Sequence, residues 1–233
     1  IRLNGPSSNI GWKPMTKLGL LTIGQAPRDD ITPDIESQLP DHVDVVEAGA
    51  LDRFNSTEEI QDAAGAREGE PVFVTKLRDG SSVTIDRSET IKLMQERIQD
   101  LAADVSTIGV LCTGAFPAFD VDIPVLEPSR LLHAWTSGIV NDGTVGVLVP
   151  KPEQVPQTHQ KWAEFDLVTA AGSPYVSEDQ VSPAAEELGT DVDLVVMDCM
   201  GYTPEMKNQV QKATGAGVLL GRSVLSKTST EVL

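Results

Sequence analysis

No run of about 18 or more apolar residues occurs anywhere in the 233-residue sequence, which excludes a membrane-spanning helix. The amino terminus lacks the basic segment, apolar core and small-residue cleavage site of a secretory signal, so the chain is expected in the cytoplasm. Cysteine is scarce, with two residues, Cys112 and Cys199. A secreted disulfide scaffold carries more. Two thiols with no histidine at ligand spacing do not close a tetrahedral zinc site, so no metal is expected. Positive charge is scarce as well: 18 basic against 35 acidic residues give a net charge of −17. Such a surface repels phosphate backbones, and no basic stripe with interleaved aromatics offsets it, so nucleic acid is excluded as a partner. The acidity serves plain solubility or a salt-rich cytoplasm, and both readings stay open. No Walker loop is present, and no Gly-x-Gly-x-x-Gly follows a strand; Gly215-Ala216-Gly217 precedes one and reads as a turn. His42, His133 and His159 have no serine or cysteine nearby in sequence to suggest a triad. Low-complexity segments and short-period repeats are absent.

What remains is an ordinary globular composition, 40% hydrophobic and 23% charged, long enough to bury a full core. Residues 1–14 show no periodicity and are read as a leader or extension outside the fold, with Met15 ahead of the first apolar run. Strand-length apolar runs then alternate with helical patterns: Lys17–Gly24, Val43–Ala48, Ser106–Cys112, Thr144–Pro150, Leu167–Ala171 and Val192–Asp198, with a last short strand at Gly217–Leu220. Their continuous apolar character is that of strands covered on both faces. Residues 71–86 differ, because two β-rich runs flank Asp79-Gly80, a strong hairpin signal. Arg87–Val105 reads as an amphipathic helix with Ile91, Met94, Ile98, Leu101 and Val105 on one face and Ser88 as its N-cap. A helix follows Val125-Leu126 to about Ile139, and the segment from Ser223 looks helical.

Regular strand–helix alternation predicts parallel sheets with right-handed crossovers. The pattern occurs twice. A strand near Lys17 leads to one ending at Cys112, and a strand near Thr144 leads to one ending at Cys199. The fold class expected is therefore α/β, with two pseudo-symmetric parallel-sheet lobes at 15–125 and 126–220. Residues 221–233 form a C-terminal helix that returns to the first lobe.

In parallel sheets, ligands bind at the carboxyl ends of strands. Three loops fall there: Gly24-Gln25-Ala26-Pro27-Arg28, Cys112-Thr113-Gly114, and Cys199-Met200-Gly201-Tyr202-Thr203-Pro204-Glu205. Thr203 is a good N-cap with Pro204 at the first helical position, which sets Cys199 just ahead of a helix N-terminus. That field lowers a thiol toward its thiolate. Gly201 lets the backbone come close beside the sulfur. Arg28 is the candidate for holding a carboxylate with its planar fork, against the alternative of a pair with Asp29 or Asp30. Gln25 and Thr113 are short-range donors for the same anion. Glu127-Pro128-Ser129-Arg130 reads as helix initiation, with Arg130 solvated.

At Thr22-Ile23-Gly24-Gln25-Ala26-Pro27-Arg28, Leu126-Glu127-Pro128-Ser129-Arg130, Val145–Pro150 and Asp198-Cys199-Met200-Gly201 the chain resembles the AroM family, from Lys17 to the C-terminus. That family is akin to the aspartate/glutamate and hydantoin racemases. The resemblance implies an aspartate/glutamate racemase-like fold with the site in the cleft between two α/β lobes, one cysteine from each, and no cofactor. Those racemases follow their first cysteine with Asn-Thr, where this chain has Thr113-Gly114; the second motif is nearer the hydantoin racemase type. The implied activity is a cofactor-independent racemase or isomerase acting on a small carboxylate or cyclic amide with an acidic C–H. Cys112 and Cys199 would exchange the proton. Gln25, Arg28, Thr113, Gly114, Gly201, Tyr202 and Thr203 would hold the substrate. A one-cysteine decarboxylase or cis–trans isomerase, and a non-catalytic metabolite-binding or regulatory protein, stay open. A homodimer is compatible with all of them.

Overall fold

A computed structural model describes residues 16–176 and 178–233; the leader expected at residues 1–14 lies outside the described residues. Two four-stranded, all-parallel sheets carry the fold. The first contains β1 (Thr16–Thr22), β2 (Val43–Gly49), β5 (Thr107–Val110) and β6 (Val125–Leu126) in the order β2-β1-β5-β6. The second contains β7 (Thr144–Val149), β8 (Asp166–Ala171), β9 (Leu194–Met197) and β10 (Gly217–Leu220) in the order β10-β9-β7-β8. Read from the second strand of each lobe, the two orders are the same. This is the two-lobed, parallel α/β architecture that the alternation predicts.

Registers make the equivalence concrete. Leu21 of β1 pairs with Val110 of β5, and Leu148 of β7 pairs with Met197 of β9. Cys112 follows Val110 by two positions, as Cys199 follows Met197. Both thiols therefore leave the carboxyl end of the same strand of their lobe.

Helices α1 (Thr32–Glu36), α2 (Thr57–Ala64) and α3 (Arg87–Ala102) belong to the first lobe, and α4 (Pro128–Ile139), α5 (Val155–Lys161), α6 (Val181–Leu188) and α7 (Pro204–Thr214) follow. The central strands β1, β5, β7 and β9 are buried on both faces, as their uninterrupted apolar runs require: Leu21 and Val110 join Met94 and Ile98 of α3, while Leu18 and Leu20 face the opposite core. Helix α8 (Gly221–Val232) begins two positions before the expected Ser223 and straddles the lobes. Its Leu225 packs with Leu18, Leu20 and Met200, and its Val224 with Val145 and Val147.

Three local expectations shift. The cap of α3 is Asp86, whose carboxylate accepts from the Glu89 amide at 2.9 Å, and not Ser88, because the strand that ends at Asp86 runs straight into the helix and Ser88 already sits in its first turn. The helix ends at Ala102, short of Val105, which is nevertheless buried in the same core. Strand β5 ends at Val110, so Cys112 stands in the loop beyond it. The hairpin forms as expected from β3 (Val72–Lys76) and β4 (Ser82–Asp86), with Gly80 at φ 82°, a conformation open to glycine at little cost.

Candidate active site

Because the strands of each lobe are parallel, all their carboxyl ends face one way, and the loops after β5 and β9 meet. The Thr113 hydroxyl donates to the Asp198 carbonyl at 3.1 Å. The Lys161 ammonium donates to both Asp198 carboxylate oxygens, at 2.8 and 2.7 Å, and to the Thr113 carbonyl at 2.8 Å. The Trp162 indole completes the cage around Asp198 at 3.0 Å. Asp198 precedes Cys199 and Thr113 follows Cys112, so one partly buried ion pair stitches the two cysteine loops together. Gly221, at the start of α8, packs against both, within 3.3 Å of the Thr113 methyl and 3.9 Å of the Cys199 carbonyl for an added Cβ.

The thiols sit in unlike surroundings. Cys112 Sγ accepts from the Gly114 amide at 3.3 Å, and Phe73 of the hairpin and Phe116 lie against Gly114. Burial pushes the Cys112 thiol up to about 11, and the charge of Cys199 adds to the rise. Cys199 Sγ accepts from the Gly201 amide at 3.4 Å and lies 3.3 Å from the Tyr175 hydroxyl. Burial raises Cys199 as well, while the Tyr175 hydroxyl, the Gly201 amide and the Arg28 charge pull against it. The depressed thiol expected from a helix N-terminus is thus replaced by a raised one. Helix α7 begins only at Pro204, five positions beyond Cys199, and burial of the sulfur is the largest influence on its value.

The other expected site residues separate into two groups. Thr113, Gly114 and Gly201 lie with the thiols. Arg28 lies near Cys199 and is buried, but its fork is engaged: Nε and Nη2 bind the Asp30 carboxylate at 2.7 and 2.9 Å, and Nη1 binds the Thr22 hydroxyl at 3.2 Å. The alternative pairing with Asp30 is the one present. Gln25 braces loops: its amide nitrogen donates to the Phe54 carbonyl at 3.0 Å and its oxygen accepts from the Arg78 amide at 3.1 Å. Tyr202 is fully buried, and its hydroxyl donates to the Gly172 carbonyl at 2.8 Å. The Thr203 hydroxyl caps α7 through the Met206 amide at 3.3 Å, as its sequence position predicts. Gln25, Tyr202 and Thr203 therefore shape the cleft with side chains that are already partnered.

Four residues that sequence reasoning left out of the candidate site stand around the cysteine loops: Tyr175, Lys161, Asp198 and Arg222. Arg222 is 1% exposed. Its guanidinium donates to the Met200 carbonyl through Nε and Nη2, at 3.1 and 2.6 Å, and reaches the Asp30 carbonyl and the Asp34 carboxylate through Nη1. It ties the Cys199 loop to the first lobe. Surface hollows elsewhere, along Lys17, Leu39 and Pro40 and along Gly49, Asp52 and Arg97, do not include either thiol. Among the described residues no group of three or more His, Cys, Asp or Glu side chains is arranged to hold a metal ion. No helix among them is long and apolar enough to cross a membrane.

The model of the family described as AroM protein matches residues 18–233. Among solved structures the chain is similar to the glutamate racemase of Aquifex pyrophilus, at 17% identity over 94% of this chain and 84% of that one, with a TM-score of 0.53. It is similar to the allantoin racemase of Pseudomonas fluorescens, at 12% identity over 93% and 90%, with a TM-score of 0.60. It is also similar to an arylmalonate decarboxylase, at 12% identity over 93% and 92%, with a TM-score of 0.55. These likenesses are of fold. No curated protein matches the sequence.

Proposed function

This chain belongs to the AroM family and has a racemase-superfamily fold, and from that premise we propose that it is a cofactor-independent racemase or isomerase working with a pair of thiols. One observation carries the reading: Cys112 and Cys199 occupy the same register position in two equivalent lobes, on loops joined through Thr113 and Asp198. A proton can then leave one face of a carbon and return from the other.

The unlike surroundings assign the roles. Cys112, raised to about 11, is a thiol at neutral pH and suits the proton donor. Cys199 is raised by burial too, but a phenol, an amide and a guanidinium oppose that rise, and it therefore suits the base better than Cys112. The substrate class is a small carboxylate or cyclic amide whose C–H is acidified by the neighbouring carbonyl. The amides of Gly114 and Gly201, which point at the sulfurs in the resting cleft, stabilise negative charge on whichever thiolate is present. A related decarboxylase reading is favoured by the high value of Cys112, because protonation of a carbanion after loss of carbon dioxide needs a single protonated thiol.

The test begins without a known substrate. A library of small carboxylates and hydantoins is screened for thermal shift, since a ligand held by the folded state raises the melting temperature. A hit that protects Cys199 from alkylation supports the reading. A hit that stabilises the protein equally well with both cysteines replaced by serine, and is recovered unchanged, shifts the reading to a metabolite-binding protein.

A further inference from the structure

Cys199 has a neighbour that Cys112 lacks. Tyr175 stands in the loop after β8, with 45% of its surface exposed, yet its hydroxyl turns inward to lie 3.3 Å from Cys199 Sγ. An exposed tyrosine ordinarily keeps its hydroxyl in water. Room for the inward turn is made at Gly201, where an added Cβ would run into the Tyr175 hydroxyl and sit 2.6 Å from its ring edge. The ring is held from the opposite lobe: Lys76 of β3 places its ammonium 5.0 Å from the ring centroid and 3.9 Å from the Asp30 carboxylate that pairs with Arg28. The phenol therefore spans the mouth of the cleft from one lobe to the other.

We propose that Tyr175 is a third catalytic group of this cleft, whose hydroxyl donates a hydrogen bond to the Cys199 thiolate. The inference rests on the thiol-pair reading. A phenol gains little from a neutral thiol, which is a weak acceptor, and much from a thiolate, which is a charged one. Its placement is thus suited to holding Cys199 in the form that removes a proton. Burial keeps Tyr175 well above the ordinary phenol value, so it stays protonated and remains a donor. In the transfer itself the substrate C–H bond breaks and its proton forms an S–H bond on Cys199. The electron pair stays on the substrate carbon as an enolate, and the phenol keeps its own proton. Among the described residues the hydrogen-bond partner of Cys112 is the Gly114 amide, with no phenol beside it.

The experiment uses the whole protein and iodoacetamide, with modification of each cysteine followed by peptide mass spectrometry across a range of pH. Tyr175→Phe keeps the ring on Lys76 and removes the hydroxyl, so the alkylation midpoint of Cys199 moves up by about one pH unit, the scale of one hydrogen bond to a charged group. Gly201→Ala, which displaces the ring, moves it in the same direction. The Cys112 midpoint, coupled to Cys199 only through its charge, does not rise in either variant and serves as the internal comparison. A Cys199 midpoint that is unchanged or lower in Tyr175→Phe overturns the proposal. This outcome is independent of turnover, so it is distinct from failure of the thiol pair, which is read from the activity of the cysteine variants.

Discussion

The two lobes share a strand order and place a cysteine at the same register position, yet they treat the thiol differently. In the first lobe Cys112 accepts from the Gly114 amide, against which Phe73 and Phe116 lie, and is raised by burial to about 11. In the second, Cys199 has Tyr175, Gly201 and the charge of Arg28 around it. Repetition of the backbone sets where the thiols are. Side chains that do not repeat set how burial of each thiol is offset.

The largest test breaks the union of the lobes. Arg222→Ala removes a cation buried to 1% exposure and leaves the Met200 and Asp30 carbonyls without their donor. Chemical denaturation is expected to show a loss of roughly 3–5 kcal/mol. Arg222→Lys recovers little of it, since one ammonium does not replace the planar fork. A loss under 1 kcal/mol would show that α8 does not pin the Cys199 loop. Next comes Lys161→Met, which leaves the Asp198 carboxylate buried with the Trp162 indole as its remaining side-chain donor. About 2–3 kcal/mol is expected. Lys161 also lowers the Cys112 value, so in this variant Cys112 alkylation moves to higher pH.

A third test sharpens the contrast between the thiols through pH. Cys112 binds its proton more tightly folded than unfolded, with about 11 against an ordinary 9.0. Its contribution to stability is therefore full below about pH 9 and is lost as pH rises toward 11. Cys112→Ala flattens that decline in urea-denaturation curves taken across the window. An unchanged slope would place Cys112 in contact with water. The smallest effect concerns neither thiol. With a net charge of −17, self-repulsion is screened on moving from dilute buffer to molar salt, and the melting temperature rises. A flat or falling melting temperature would assign the acidity to solubility alone.

Much of the architecture was legible because it is written in local patterns. Continuous apolar runs gave the parallel strands, Asp79-Gly80 gave the hairpin, and Thr203-Pro204 gave the start of α7. The cysteines were legible because each ends one of those runs. Less of the site was legible, since its partners meet only in the folded chain. Tyr175 lies in a loop with no periodicity, and its role depends on Gly201 and Lys76, far apart in sequence. Lys161 closes a short helix and reads as a solvated cation until Asp198 is folded against it. Gln25 looked free because Leu51, Phe54 and Arg78, which take its amide, come from other segments. The engagement of Arg28 was a local matter, two residues from Asp30, and sequence could pose that pairing without deciding it.

The claim that the thiols work as a pair is tested most directly by isotope exchange, using a carboxylate or hydantoin found in the thermal-shift screen. The reaction is run in deuterated water with the parent protein, Cys112→Ser, Cys199→Ser and the double variant. Product from the parent is expected to carry solvent deuterium at the isomerised carbon while unreacted substrate stays protonated early on. Each single variant is expected to lose most turnover, because an alcohol is a far weaker acid than a thiol, and to keep exchange at one face of the carbon. Full activity in the double variant Cys112→Ser/Cys199→Ser would contradict the account.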